Sequence, residues 1–273
     1  VTTPLLRSYD IILVNSSAGK DSQAMLDLIV ERARHEGILD RVVVVHCDLG
    51  RVEWKGTREL AEGQAKHYGL RFEVVSRPQG DLLQHIEQRG MFPSSAARYC
   101  TSDHKRGQVR KVMTKLADEV RSKNGGKQAR ILNCMGLRAQ ESPARAKKVA
   151  FEFDEAASNG RRHVDAYLPI LDWTIEQVWA RIRASGVRYH PAYDLGMGRL
   201  SCCFCVLAPK AALLVAAQHN PSLADQYAAV EQKIGHQFTT KISIARVRDE
   251  ARSLKKLGVI QPPAAPIDWC AGM

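Results

Sequence analysis

Long apolar runs are missing from this 273-residue chain, and with them the commonest signature of a membrane-spanning helix. The apolar run Ile11-Ile12-Leu13-Val14 is too short for a signal-peptide core and leads straight into a polar loop, so a cytoplasmic protein is expected. Internal repeats and low-complexity blocks are missing too, which argues against a solenoid or a disordered chain. Cysteine pairs are not the rule either. There are seven cysteines, an odd number, and three crowd together at Cys202, Cys203 and Cys205. Without a secretory signal, that pattern points to metal or redox chemistry rather than a disulfide scaffold. Acidic excess is absent as well: 40 Lys and Arg stand against 29 Asp and Glu, a formal charge of +11. Such a balance suits a polyanionic partner, a nucleotide or a nucleic-acid backbone, and is equally compatible with a diffusely basic surface. Hydrophobic residues make up 45% of the chain, enough at this length for a sizeable core.

Periodicity supplies the architecture. Residues 11–15 (IILVN) read as a buried strand, and from Lys20 the spacing of Met25, Leu28, Ile29 and Ala33 is that of one helix face, closed by Gly37. Arg41 to Cys47 is a second β-branched run, ending at Asp48-Leu49-Gly50. Thr57 is placed to cap a helix that runs to about His67 and stops at Gly69, and Arg71 to Val75 is a third strand. A long basic helix at roughly 104–121 ends at Lys123-Asn124-Gly125-Gly126-Lys127, and Ile131 to Met135 is a further strand entering Gly136-Leu137-Arg138. Alternating strands and helices with short connections predict a right-handed parallel sheet with helices on both faces. Ligands of such sheets sit beyond the carboxyl ends of the strands, so the loops after 15, 47 and 135 are expected to converge on one crevice. Segment 154–163 is polar and reads as a flexible loop. Thr174 to Ser185 is a helix with a Thr-x-x-Gln capping box and Gly186 at its end, and helical patterns follow near 209–218, 222–234 and 241–257. The organisation expected is an α/β nucleotide-binding domain over 1–155 and a mostly helical C-terminal appendage over 156–273. A Pro-rich stretch at 261–266 precedes the last cysteine, Cys270.

The turn after the first strand carries the sharpest signal. Ser16, Ser17, Ala18, Gly19, Lys20, Asp21 and Ser22 bring small residues, hydroxyls, a cation and a carboxylate to a helix start. Small residues let backbone N–H groups approach a phosphate, the helix dipole favours its charge, and Asp21 could hold Mg²⁺ against the phosphates. A Walker A loop it is not, because Val14 and Asp21 stand where that motif needs Gly and Ser or Thr.

The pattern Ser-x-Gly-x-Asp-Ser/Thr resembles the PP-loop of the N-type ATP pyrophosphatases, the adenine-nucleotide α-hydrolase superfamily. Asp48-Leu49-Gly50 resembles the Asp-x-Gly turn that this superfamily places beside the adenosine, so Asp48 is expected to contact the nucleotide, a plain turn residue being the alternative. Two further stretches resemble the phosphoadenosine-phosphosulfate-reductase-like branch. They are Arg98-Tyr99-Cys100-Thr101…Lys105, and Gly136-Leu137-Arg138-Ala139-Gln140-Glu141-Ser142-Pro143-Ala144-Arg145. The stretch from Leu171-Asp172-Trp173 through His190-Pro191-Ala192-Tyr193 to Ser201-Cys202 extends the resemblance to about residue 206. It implies ATP as ligand, with Gly136, Arg138, Glu141 and Arg145 near phosphate or substrate. Arginines at a strand end suit bidentate grip on phosphate, whereas surface salt bridges with Glu141 would be the plain alternative.

Sulfonucleotide reductases end in a Glu-Cys-Gly-x-His segment, and Asp268-Trp269-Cys270-Ala271-Gly272-Met273 lacks the Glu and the His. That departure turns the resemblance toward the ATP-cleaving relatives that thiolate tRNA or install phosphorothioate in DNA, and most toward the ATP pyrophosphatase subunits of DNA phosphorothioation systems. It implies adenylation of a substrate oxygen, DNA being favoured over tRNA, with sulfur supplied by a partner cysteine desulfurase. Sulfonucleotide reduction and a catalytically silent nucleotide-sensing subunit are the rival readings. Cys202, Cys203 and Cys205, with Cys100, have the thiols for an iron–sulfur cluster. Zinc with His190 as fourth ligand, a persulfide-carrying pair, and a turn of buried reduced cysteines are the alternatives. Cys47 and Cys134 lie inside strands and read as core.

Overall fold

A computed structural model describes residues 3–259. Strand β1 (Ile11–Ser16) enters α1 (Lys20–His35), and β2 (Val42–Cys47), α2 (Thr57–His67) and β3 (Arg71–Val75) follow. Then come α3 (Leu82–Arg89), a short helix α4 (Tyr99–Thr101), a π turn over Ser102–Arg106, and α5 (Gly107–Lys123). The remainder is β4 (Ala129–Met135), α6 (Pro143–Ala146), β5 (Phe151–Phe153), β6 (Arg162–Tyr167), α7 (Ile175–Ser185), α8 (Lys210–His219), α9 (Pro221–Ile234) and α10 (Ile244–Lys256). Among the described residues no helix is long and apolar enough to cross a membrane.

The strands form one sheet in the order β3-β2-β1-β4-β6-β5, parallel except for β5, which runs antiparallel to β6. The unbroken apolar runs in β1 and β2 follow from burial of both sheet faces. Ile12, Val14, Val42 and Val44 pack under Met25, Leu26 and Ile29 of α1. Ile11, Leu13, Val43 and Val45 turn the other way, toward Val109, Val112 and Met113 of α5. Since β2 lies on one side of β1 and β4 on the other, the chain reverses its winding direction at β1. The loops leaving β1 and β4 therefore diverge around a crevice, the position where open parallel sheets bind ligands.

Several expectations change. The segment 154–163, expected as a flexible loop, is structured. Asp154 accepts the Ala157 N–H at 3.0 Å, Arg162 is buried with its guanidinium on the Ala157 carbonyl, and β6 begins there. The boundary expected at 155/156 falls inside the β5–β6 connection, so part of the sheet lies on its C-terminal side. Thr57 is the first residue of α2 rather than its cap; Gly56, at φ 86°, holds the cap position. α3 was not anticipated, although Asp81 and Gln84 form a capping box and Gly90 ends it in the left-handed conformation. The capping box at Thr174 and Gln177 and the stop at Gly186 are present as expected. The C-terminal helices share one core with the sheet domain. Tyr227 of α9 packs on Phe92 and Phe204, in a cluster that includes Leu82, Leu83 and Ile86 of α3 and Leu49 and Val52 after β2. The Pro-rich stretch and Cys270 lie outside the described residues.

Candidate functional site

The loop between β1 and α1 carries a run of amides held by hydroxyl groups. Ala18 adopts φ 54°, a left-handed conformation that non-glycine residues seldom take. All four amides from Ser17 to Lys20 donate to hydroxyl oxygens. Ser17 N–H reaches Ser22 Oγ at 3.2 Å, Ala18 N–H reaches Ser16 Oγ at 3.2 Å, and Gly19 N–H reaches Ser17 Oγ at 3.4 Å. Lys20 N–H donates to the Tyr193 hydroxyl at 2.8 Å. Gly19 caps α1 without a side chain, so nothing of its own intrudes on these donors. The Tyr193 hydroxyl and Leu200 Cβ lie 3.4 and 3.5 Å from where a Cβ on Gly19 would be, so this segment covers the loop and only Ser17 is exposed. An oxyanion entering the loop must displace the tyrosine hydroxyl.

Around the loop sits a compact charge array. Lys20 and Arg138 are buried, and each holds one oxygen of Asp21, at 3.0 and 2.6 Å. Burial would raise the Asp21 pKa, but Lys20 and then Arg138 outweigh it and hold the carboxyl below its usual range. Arg138 reaches across because Gly136, at the end of β4, allows close approach. A Cβ there would lie 2.8 Å from the Asp21 carbonyl oxygen and 2.9 Å from Ser22 Cα. The pairing expected between Arg138 and Glu141 is confined to the backbone, Arg138 N–H donating to Glu141 Oε2 at 3.1 Å. Glu141 pairs instead with Arg145, and Arg199 stands 4.0 Å away. Burial, then the Arg199 cation, lowers the Arg145 pKa, with Glu141 opposing. Four cations thus meet two carboxylates, a net positive array beside the run of amides.

The Mg²⁺ expected at Asp21 does not fit this donor set, since both carboxylate oxygens already face cations; Asp21 instead anchors Lys20 and Arg138. Asp48 shapes its own turn, accepting the Gly50 N–H at 2.8 Å, with Arg58 3.6 Å from its other oxygen. Beside it, His46 ties β2 to β1 through Nδ1, 3.0 Å from the Ser16 carbonyl.

Among the described residues no group of three or more His, Cys, Asp or Glu side chains is set to hold a metal ion, although Cys202 lies near enough to Cys205 and Cys100 for their charges, after burial, to raise its pKa. Cys203 is turned into the apolar core. Burial pushes the Cys202 thiol up to about 12, and Cys100 and Cys205 pack only partly buried against the same cluster. His190, the expected fourth zinc ligand, uses Nδ1 to accept the Ala192 N–H and has Nε2 3.3 Å from Thr57 Oγ1. Cys134 is buried in the core, and Cys47 is half-buried with Sγ 3.8 Å from the Lys105 carbonyl. Sequence reasoning missed Tyr193 as a partner of the loop. Its only signal was membership of the His190-Pro191-Ala192-Tyr193 stretch, because nothing local ties residue 193 to residue 20.

An uncharacterised 37.8 kDa protein of Escherichia phage 186 is 32% identical over 152 residues, 56% of this chain and 42% of that protein. The chain therefore spans less than half of that relative's length. The adenosine 5′-phosphosulfate reductase of Allochromatium vinosum is 28% identical over 205 residues, 74% of this chain and 70% of that protein. Among solved structures, the phosphoadenylyl-sulfate reductase of Candida auris aligns with a TM-score of 0.45 at 16% identity, covering 72% of this chain and 83% of that one. The family model for the phosphoadenosine phosphosulfate reductase domain matches residues 11–208, from the first residue of β1 through the cysteine segment. The chain belongs to the phosphoadenosine phosphosulfate reductase domain family.

Proposed function

We propose that this chain binds ATP at the Ser16–Ser22 loop, cleaves it between the α- and β-phosphates, and transfers the adenylyl group to a substrate oxygen. The observation that carries the reading is the run of four amides that all donate to hydroxyl oxygens, each exchangeable for a phosphate oxygen. In this scheme the amides and Lys20 grip the β- and γ-phosphates, and Arg138 and Arg145 take up charge developing on the leaving pyrophosphate. Asp21 keeps Lys20 and Arg138 in place. The acceptor oxygen attacks the α-phosphorus, pyrophosphate leaves, and the acceptor is adenylated. A non-bridging phosphate oxygen of DNA is the acceptor favoured here, ahead of tRNA, with a cysteine desulfurase delivering the sulfur that displaces AMP. Incubation with ATP and an oligonucleotide acceptor, read with malachite green, tests the step. Phosphate is expected only after inorganic pyrophosphatase is added, and orthophosphate released without it would refute the scheme.

The similarity to an adenosine 5′-phosphosulfate reductase favours a second reading, in which the same loop holds a sulfonucleotide for reduction. Thioredoxin-dependent sulfite release from such a nucleotide, without pyrophosphate release from ATP, would select it.

A further inference from the structure

A second concavity lies away from the amide loop, between the start of α2 and residues 182–194, with a volume of about 640 Å³. That is the size of a small-molecule site, roughly 300–1,000 Å³. Its lining combines three cations, Lys55, Arg183 and Arg188, with Tyr189 and an apolar floor that includes Ile182 and Val187. None of the three cations has an ion-pair partner among the described residues. That contrasts with their surroundings, since Arg181, two residues from Arg183, is paired with both Asp27 and Glu31. The single carboxylate in the lining, Asp194, accepts the Tyr189 hydroxyl at 2.8 Å. Tyr189 is 39% exposed, and its ring is buttressed edge-on by Trp179, with centroids 5.3 Å apart. A ring held this way loses little freedom when another ring stacks on it.

Unpaired cations around an apolar floor, beside an exposed and fixed aromatic ring, match the two halves of an unpaired nucleotide: phosphate charge and the face of a base. The cleft is also mechanically joined to the amide loop. Gln23, in the first turns of α1, donates through Nε2 to the carbonyls of Val187 and Arg188 at 3.0 and 3.2 Å. Tyr193, whose hydroxyl sits on Lys20 N–H, has its ring centre 6.4 Å from that of Tyr189. At ~3.4 Å per nucleotide along a strand, the two rings lie about two nucleotides apart.

We propose that this cleft is the docking site of a single-stranded nucleic acid, with phosphates on Lys55, Arg183 and Arg188 and one base stacked on Tyr189. Its strand would run toward the amide loop as the acceptor. That last role rests on the reading of the loop as an ATP site, whereas binding in the cleft does not. A duplex cannot offer the base face, and an acidic peptide would satisfy the cations but leave the tyrosine unused.

The test uses the full chain and fluorescein-labelled dT12 and rU12, followed by anisotropy across a salt series, with ATP affinity measured separately by equilibrium dialysis. Lys55→Gln/Arg183→Gln/Arg188→Gln should weaken strand binding and flatten the log–log salt slope by about 2, at roughly 0.7 for each phosphate no longer neutralised. Tyr189→Ala should weaken binding by about tenfold with the slope unchanged, while Tyr189→Phe retains it. ATP affinity should stay the same in every variant. The ratio of dT12 to rU12 affinity identifies the sugar. The proposal is overturned if the triple variant binds as the parent does, if a 12-base-pair duplex binds as tightly as the single strands, or if polyglutamate competes as well as unlabelled strand. A parent chain that binds strand in the cleft but no ATP would sink the reading of the loop and leave the cleft assigned.

Discussion

Gly136→Ala is the substitution whose outcome follows most directly from the geometry. The added Cβ would meet the Asp21 carbonyl oxygen at 2.8 Å, the Asp21 carbonyl carbon at 2.9 Å and Ser22 Cα at 2.9 Å. Optimal carbon contacts lie near ~3.5–4.0 Å, so three backbone atoms would be overlapped by roughly 0.6–1 Å at once. No side chain can rotate away to relieve this, so the end of β4 and the first turn of α1 must separate. Overpacking of this kind costs about 1–3 kcal/mol of stability. The same separation lengthens the 2.6 Å contact to Asp21 made by Arg138, which lies two positions after Gly136, and shifts the charges set around the amide loop. A misplacement near 1 Å costs a catalytic step about 100-fold, so pyrophosphate release should fall by that order. Urea denaturation followed by circular dichroism reads the first effect, and the coupled phosphate assay reads the second. A variant within about 0.5 kcal/mol of the parent, with ATP turnover within twofold, would show that the loop and β4 are not in the close contact described.

Two further outcomes are expected. Tyr193→Phe leaves the Lys20 N–H without its acceptor in the free protein, at a cost of ~1–3 kcal/mol that a phosphate oxygen then recovers. The variant should melt earlier yet bind ATP several-fold tighter by calorimetry; weaker binding would make the hydroxyl a phosphate ligand instead of a cover. His104 is a pH-sensitive element. Burial first, then the charges of His85 and Arg77, lower its pKa to about 4. The neutral ring is the folded form, so its contribution is complete above the unfolded value near ~6.5 and is lost as pH falls toward 4. Urea midpoints should decline across that window in the parent, and by less in His104→Gln.

Local signals carried much of the fold. β-branched runs alternating with 3.6-residue periodicity, glycines past helix ends and the Thr174–Gln177 box are short-range devices, and β1 to β3, α1, α2, α7 and the three C-terminal helices follow from them. What escaped were elements whose stability is not their own. β5 is three residues long and pairs only with β6 among the described strands, and the polar 154–163 segment is tied to β6 by the Asp154 N–H on the Val164 carbonyl and the Val164 N–H on the Ser158 hydroxyl rather than by any apolar pattern. α3 did carry a legible cap at Asp81 and Gln84, but its eight residues are too few to show a clear period.

At the site the division runs along the same line. The residues of the amide loop are contiguous, so their chemistry is written in the order Ser16 to Ser22, and the sequence by itself determined that a turn of small residues and hydroxyls begins α1. Only the tertiary structure decided which groups meet it. Asp21 is claimed by Lys20 and by Arg138, 117 residues away, Lys20 N–H by Tyr193, and the neighbouring thiols by an apolar cluster. Spacing along a chain sets what neighbours can do together. Pairing across a sheet, and the cost of leaving a buried charge or amide unmatched, decide what distant residues must do.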